Sequence, residues 1–138
     1  MTEVKKMPLR HEVPEELTWR LEDIFATVED WNTEYAEVEN LLTQAPAFQG
    51  TLKDGAEAML AVLQYRDEVY TRLGKLNAYS HMRADQDTTN SEFQALDSRC
   101  SSLVAKAVTA LSFLTPEILS YVADISELVG KIGVTNHL

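Results

Sequence analysis

Three groups of residues in this sequence have the types from which catalytic or metal chemistry is made. The first is His11-Glu12, the only HE dipeptide. A helix-borne metal site of the H-E-x-x-H kind needs a second histidine four residues after the first, so that both imidazoles face one ion. Here that place holds Glu15, and Pro14 breaks the helix the spacing requires. The second group is His81 with Asp85 four residues on and Asp87 nearby. The i,i+4 pair shares a helix face and resembles part of a metal site. No second histidine lies in local range, however, and no Glu-x-x-His pattern supplies a dinuclear centre. A histidine near a helix end is equally well satisfied by the C-terminal dipole or by a carboxylate. The third is Cys100. It falls on an apolar helical seam, where a thiol packs rather than reacts, and Arg99 beside it points elsewhere on the helix.

Trp31, Tyr35, Tyr65, Tyr70 and Tyr79 could line a peptide groove. At helical spacing they fit a core better. The acids mostly fall on helix faces and in first turns, and there is neither a glycine-rich phosphate loop nor a G-x-S-x-G. The sequence therefore offers no catalytic, cofactor-binding or metal-binding residue. The elements that would have to position one are easier to read.

The stretch from Arg72 to Asn90 organises those elements. It holds the end of a long helical pattern, a polar turn over Asp85–Asn90 and the cap of the next helix, for which Thr89 or Asn90 serves. Before it, Met59, Leu60, Val62, Leu63, Val69, Tyr70, Leu73, Leu76 and Tyr79 predict a helix over about 54–84, capped by Thr51 or Asp54 and roughly 45 Å long. Gly74 inside that pattern suggests a close crossing by another backbone. After the turn, Phe93, Leu96, Cys100, Leu103, Ala107 and Leu114, with Ala110 or Leu111 between the last two, form a three-four seam in a helix over about 90–113. A short turn between long helices means an antiparallel hairpin.

Two further helices flank the hairpin. Thr27 caps one over about 28–44, with Trp31, Tyr35, Val38, Leu41 and Leu42 at helical spacing and Pro46 limiting it; Ala47–Thr51 reads as loop. Thr115-Pro116-Glu117 starts another over about 116–130, where Gly130 and Gly133 loosen the pattern. Residues 1–26 read as an extended, irregular segment docked on the rest through Trp19, Leu21, Ile24 and Phe25. The fold class is thus all-α, an antiparallel bundle of about four helices built around a long helical hairpin, with the helical domain over 27–138.

Composition narrows the partners. The 138 residues fit one domain, and 45% apolar content with five Gly and four Pro fits packed helices. A net charge of −10 repels nucleic acid, so no nucleic-acid partner is expected. No uninterrupted run of about 18 apolar residues predicts a membrane span, and the N-terminus lacks the apolar core of a signal peptide. A single cysteine fits a cytoplasmic location.

Two stretches resemble a known family. One is Val13-Pro14-Glu15-Glu16-Leu17-Thr18-Trp19-Arg20-Leu21-Glu22-Asp23-Ile24-Phe25. The other runs from Arg72-Leu73-Gly74-Lys75-Leu76-Asn77-Ala78-Tyr79-Ser80-His81-Met82-Arg83 to Asp87-Thr88-Thr89-Asn90. With Ser112-Phe113-Leu114-Thr115-Pro116-Glu117-Ile118-Leu119, their order and spacing resemble the N-terminal region of oligoendopeptidase F-like zinc metallopeptidases of the thimet oligopeptidase superfamily. The resemblance covers most of 7 to about 120. It implies a helical lobe that helps enclose a peptide cleft, with zinc only in a downstream catalytic domain that this chain lacks. No catalytic residue carries over, so the chain alone is expected to be a truncated, non-catalytic piece. The tail from about Tyr121 departs from the family pattern. Two partners follow: the catalytic domain of a parent peptidase, or a second copy of an acidic helical module that self-associates.

Overall fold

The structure is a computed structural model that describes residues 6–135, with side chains through Ile132. Residues 1–5 of the expected N-terminal segment and 136–138 of the tail lie outside the described residues. The chain runs through helices α1 (Val28–Leu42), α2 (Ala45–Phe48), α3 (Ala56–Gln86), α4 (Ser91–Ala110) and α5 (Leu114–Thr135). Among the described residues, four 3-10 turns punctuate it, at Arg10–Glu12, Glu15–Leu17, Leu21–Asp23 and Leu52–Asp54. Among the described residues there is no strand. The all-α class read from the sequence is the class observed.

The hairpin of α3 and α4 is the spine. The turn closes on its own polar groups: Asp87 Oδ1 accepts from the Thr89 backbone N–H at 3.0 Å and hydroxyl at 2.6 Å. Asn90, one of the two expected caps, accepts from the backbone N–H groups of Glu92 and Phe93 at 3.0 and 3.1 Å. These bonds satisfy the donors that a helix start leaves open. The α4 seam then buries Leu96, Cys100, Leu103 and Ala107 against Val69, Leu73, Leu76 and Tyr79 of α3. Helix α1 lies across both helices and inserts Trp31, Tyr35 and Val38 into the same core. Thr27 caps α1 as expected, accepting from the Asp30 N–H at 3.1 Å.

A second, smaller core closes the open end of the hairpin. Leu52, Val62 and Leu114 are buried there, with Phe48, Met59, Phe113 and Ile118 packed around them. Glu117 secures this end, accepting from the Gly50 N–H at 2.6 Å. Gly50 sits at φ +81, in the left-handed region that favours glycine.

Several boundaries differ from the expectation. Ala47 and Phe48 belong to α2 rather than to a loop, because Pro46 occupies a first-turn position where its missing N–H costs nothing. Neither Thr51 nor Asp54 caps α3; Leu52–Asp54 winds into a 3-10 turn, and Gly55 at φ +130 leads into the helix. Helix α4 stops at Ala110, and Leu111–Phe113 turn the chain. Helix α5 begins at Leu114 and continues past Gly130 to Thr135. By length and composition alone, the helical stretch within Ser91–Ile132 is apolar enough to cross a membrane. That stretch is two helices, and α4 spends its apolar face on the core.

The N-terminal segment docks by fewer residues than the sequence suggests. Leu21 is buried, and Ile24 and Phe25 pack on the core, Phe25 edge-on to Tyr79 with centroids 5.4 Å apart. Trp19, expected within that apolar group, is 78% exposed. Three apolar anchors, with the Glu22 carboxylate accepting from Arg83 at 3.2 Å, hold the 3-10 turn at Leu21–Asp23, and Trp19 just before it is left in solvent.

Candidate functional site

His11 and Glu12 lie in an exposed 3-10 turn, where the Glu12 carboxylate accepts the Leu9 backbone N–H at 2.7 Å. That use is structural. His81 sits on α3 near the hairpin's closed end. Its Nε2 lies 3.7 Å from Asp85 on the same helix, and its Nδ1 3.4 Å from Asp97 on α4. Asp87, the second acid suggested by the sequence, instead holds the turn. The hydrogen bonds from Thr89, side chain first and backbone second, pull the Asp87 carboxyl below its ordinary value. Among the described residues no group of three His, Cys, Asp or Glu is placed to hold a metal ion. The exposed His81 lies between the Asp85 and Asp97 carboxylates at the surface.

Cys100 is fully buried, with its Sγ 3.8 Å from Asn77 Oδ1. Burial pushes its thiol pKa up, against a smaller opposing hydrogen bond from Ser80. A neutral, enclosed thiol is packing material. The aromatic residues do not form a groove either. Trp31 is buried and donates Nε1–H to the Leu76 carbonyl at 3.0 Å. Tyr65 donates to the Leu41 carbonyl at 2.7 Å and stacks on Phe48 with centroids 4.4 Å apart. Tyr35 and Tyr79 are core, and Tyr70 alone of the five lies largely in solvent.

No local spacing signals the arginines that fasten α1 to the hairpin. Arg99 of α4 stacks over Tyr35 and Trp31, 4.6 and 5.1 Å from their ring centroids, and donates to Asn32 at 2.8 Å. On α3, Arg72 grips Glu34 at 2.5 and 3.0 Å and also bonds Glu37. The Arg72 hydrogen bonds are the first cause of a Glu34 carboxyl held below its ordinary value; partial burial opposes them. In return the Arg72 guanidinium is raised, first by Glu34. Such pairs join residues 38 or 67 apart in sequence, beyond any local spacing rule.

What remains open is a shallow surface along α3. Tyr70, Gly74, Ala78, Met82 and Gln86 recur every four residues, so they form an oblique ridge, a stripe that winds round the helix toward its C-terminal end. The segment around Trp19–Ile24 crosses it. One depression there is lined by Ile24, Tyr70, Gly74 and Lys75 among others, and another by Trp19, Leu21, Met82, Asp85 and Gln86. Gly74 is not crossed by another backbone: a Cβ placed there would meet nothing within 4 Å. This surface carries no constellation for bond making or breaking. It can contact another surface.

The fold and this surface define a helical lobe built on a hairpin. No family model matches the chain. Individual relatives do. The chain is 45% identical over 127 residues to the oligopeptidase PepF of Bacillus subtilis, covering 90% of this chain and 19% of that protein. It is 34% identical over 110 residues to the group B oligopeptidase PepB of Streptococcus agalactiae, covering 80% of this chain and 18% of that protein. The crystal structure of oligoendopeptidase-F from Enterococcus faecium matches it with a TM-score of 0.65 at 35% identity, over 68% of this chain and 19% of that one. The chain belongs to the oligoendopeptidase F family as a counterpart of its N-terminal region, and it spans about a fifth of the length of these relatives.

Proposed function

We propose that this chain is the non-catalytic N-terminal helical lobe of an oligoendopeptidase F-type peptidase, and that in the whole enzyme it helps enclose the peptide-substrate cleft. The observation that carries the reading is the 45% identity over 127 residues that accounts for only 19% of the relative's length. A match of that strength to so small a share supports reading the chain as one part of a larger machine. In this reading the zinc, its ligands and the catalytic base belong to the remaining four-fifths. The contribution of the lobe is shape. The hairpin and α1 pack around one core, and the α3 stripe with Trp19 and Tyr70 offers a partly apolar wall to the rest of the enzyme.

The test is fragment complementation. The purified chain, supplied with zinc, is expected not to hydrolyse a fluorogenic oligopeptide. A relative expressed without its corresponding segment is expected to regain hydrolysis when this chain is added. Cleavage by the chain alone, or failure to bind and rescue a folded truncated relative, would overturn the reading.

A further inference from the structure

Helix α5 leaves the bundle with an apolar face that nothing in the described fold covers. Its first turn is anchored through Leu114 and Ile118 in the smaller core. From Val122 to Ile132 every described residue is exposed, including Val122, Ile125, Leu128, Val129 and Ile132. A helix of this length without tertiary support is marginal in water. The surplus also shows in the total surface. A compact 15.5 kDa monomer exposes about 7,200 Å². This chain exposes 9925 Å², about 2,700 Å² more, and the exposed apolar side chains of α5 contribute to it. A stable interface takes about 800 Å² from each partner.

The pattern on that face specifies the occupant. Val122, Ile125, Val129 and Ile132 alternate by three and four, the seam of a two-helix coil. The residues flanking the seam, Tyr121, Ser126 and Leu128, carry no charge. Glu117, Asp124, Glu127 and Lys131 all fall on the outer side. An apolar seam with uncharged borders presents nothing that repels its own copy, even in a chain of net charge −10. A membrane surface suits this helix less well, since interfacial helices carry Lys and Arg on the polar face and this one carries three acids to one lysine.

We propose that the α5 face binds a second copy of this chain, as an antiparallel helix pair. Pairing Val122 with the copy's Ile132, and Ile125 with the copy's Val129, fills every layer of the described seam. The two-fold axis then passes near position 127, with Leu128 against its own copy on one side and Ser126 against its own copy on the other. The antiparallel sense also sets the two acidic bundles at opposite ends of the coil, where they repel least. The inference does not use the family assignment.

Sedimentation equilibrium of the full 138-residue chain over a wide concentration range tests it. The mass is expected to rise from 15.5 kDa toward twice that value. Ile125→Glu is expected to weaken association at least ~100-fold, because it buries an unpaired carboxylate against the copy's Val129 in a desolvated seam. Asp124→Asn, on the outer side, is expected to leave it unchanged. Buried-Trp31 fluorescence shows whether the variant bundles remain folded. Ser126→Cys is expected to form an intermolecular disulfide readily, since these positions meet across the axis only in the antiparallel pair. A mass fixed at 15.5 kDa would overturn the proposal, and so would a dimer indifferent to Ile125→Glu or one that Ser126→Cys does not cross-link. A monomer that instead sediments with phosphatidylcholine vesicles would replace the second copy with a lipid surface.

Discussion

Replacing Trp31 with phenylalanine tests whether α1 is locked to the hairpin as described. The indole is fully buried, donates to the Leu76 carbonyl at 3.0 Å, packs on Tyr35 at 5.3 Å and lies under Arg99 at 5.1 Å. Phenylalanine keeps most of the ring but loses the N–H. As a mid-helix acceptor the Leu76 carbonyl keeps a helical partner, so the lost bond costs about 1 kcal/mol rather than the full penalty of an orphaned group. The smaller ring leaves a void and a weaker cation–π contact, about 1–2 kcal/mol more. The expected destabilisation is about 2–3 kcal/mol by urea denaturation followed in the far-UV, with an unchanged m-value. Trp19→Phe is the control: at 78% exposed, its loss is expected to stay within about 0.5 kcal/mol. The two variants also separate the emission. The Trp19 fluorescence left in Trp31→Phe is expected to be readily quenched by iodide, and the Trp31 fluorescence left in Trp19→Phe to be protected. A Trp31→Phe loss no larger than that of Trp19→Phe would refute the locked arrangement.

Gly74→Ala is expected to stabilise the fold by about 0.5–1 kcal/mol, because the position is an exposed helix interior with open space around a new Cβ; a melting temperature that falls would mean a neighbour occupies that space. Glu34→Gln tests the Arg72 grip as a function of pH. The folded Glu34 carboxyl is held below its ordinary value, so its stabilising contribution is fully present above the unfolded value, about 4.3, and is lost as the pH falls through the folded one. Wild type and Glu34→Gln are therefore expected to differ in stability at neutral pH and to converge in acid, as read by urea midpoints across that range. A difference that stays constant would mean the pair contributes nothing through its charge.

The parts of the fold that were legible are those encoded by local spacing. The α4 seam from Leu96 to Leu111 is buried as its three-four rhythm requires, and the polar Asp87–Asn90 turn folds the hairpin with Asn90 as cap. Breadth misled where spacing did not. The apolar face of α3 included Leu60 and Tyr70, yet both are largely exposed, because α1 and α4 cover only part of so long a helix. Gly130 breaks the apolar pattern of the last helix, but a single glycine costs a helix only ~1 kcal/mol and α5 runs through it. At the candidate site, His81 and Asp85 share a face as their spacing predicts, whereas its other carboxylate is Asp97 rather than Asp87. A partner on a neighbouring helix leaves no trace in sequence spacing, and the same holds for Arg72 with Glu34 and Arg99 with Trp31.

The two uncovered surfaces differ in kind, and the difference separates their occupants. The α3 stripe is shallow, is interrupted by Lys75 and Asp85, and is crossed by a segment held through three anchors. Its mixed chemistry suits contact with a large, irregular neighbour such as the remainder of a peptidase. The α5 face is a continuous aliphatic seam with its charges turned away, and a regular seam of that kind is matched best by another helix of the same pattern. A seam variant such as Ile125→Glu changes nothing on the α3 stripe, and a stripe variant such as Tyr70→Ala changes nothing on α5. If one lobe uses both faces, Ile125→Glu is expected to abolish self-association while leaving complementation of a truncated relative intact. Loss of both together would mean that α5, rather than α3, is the face that meets the truncated relative.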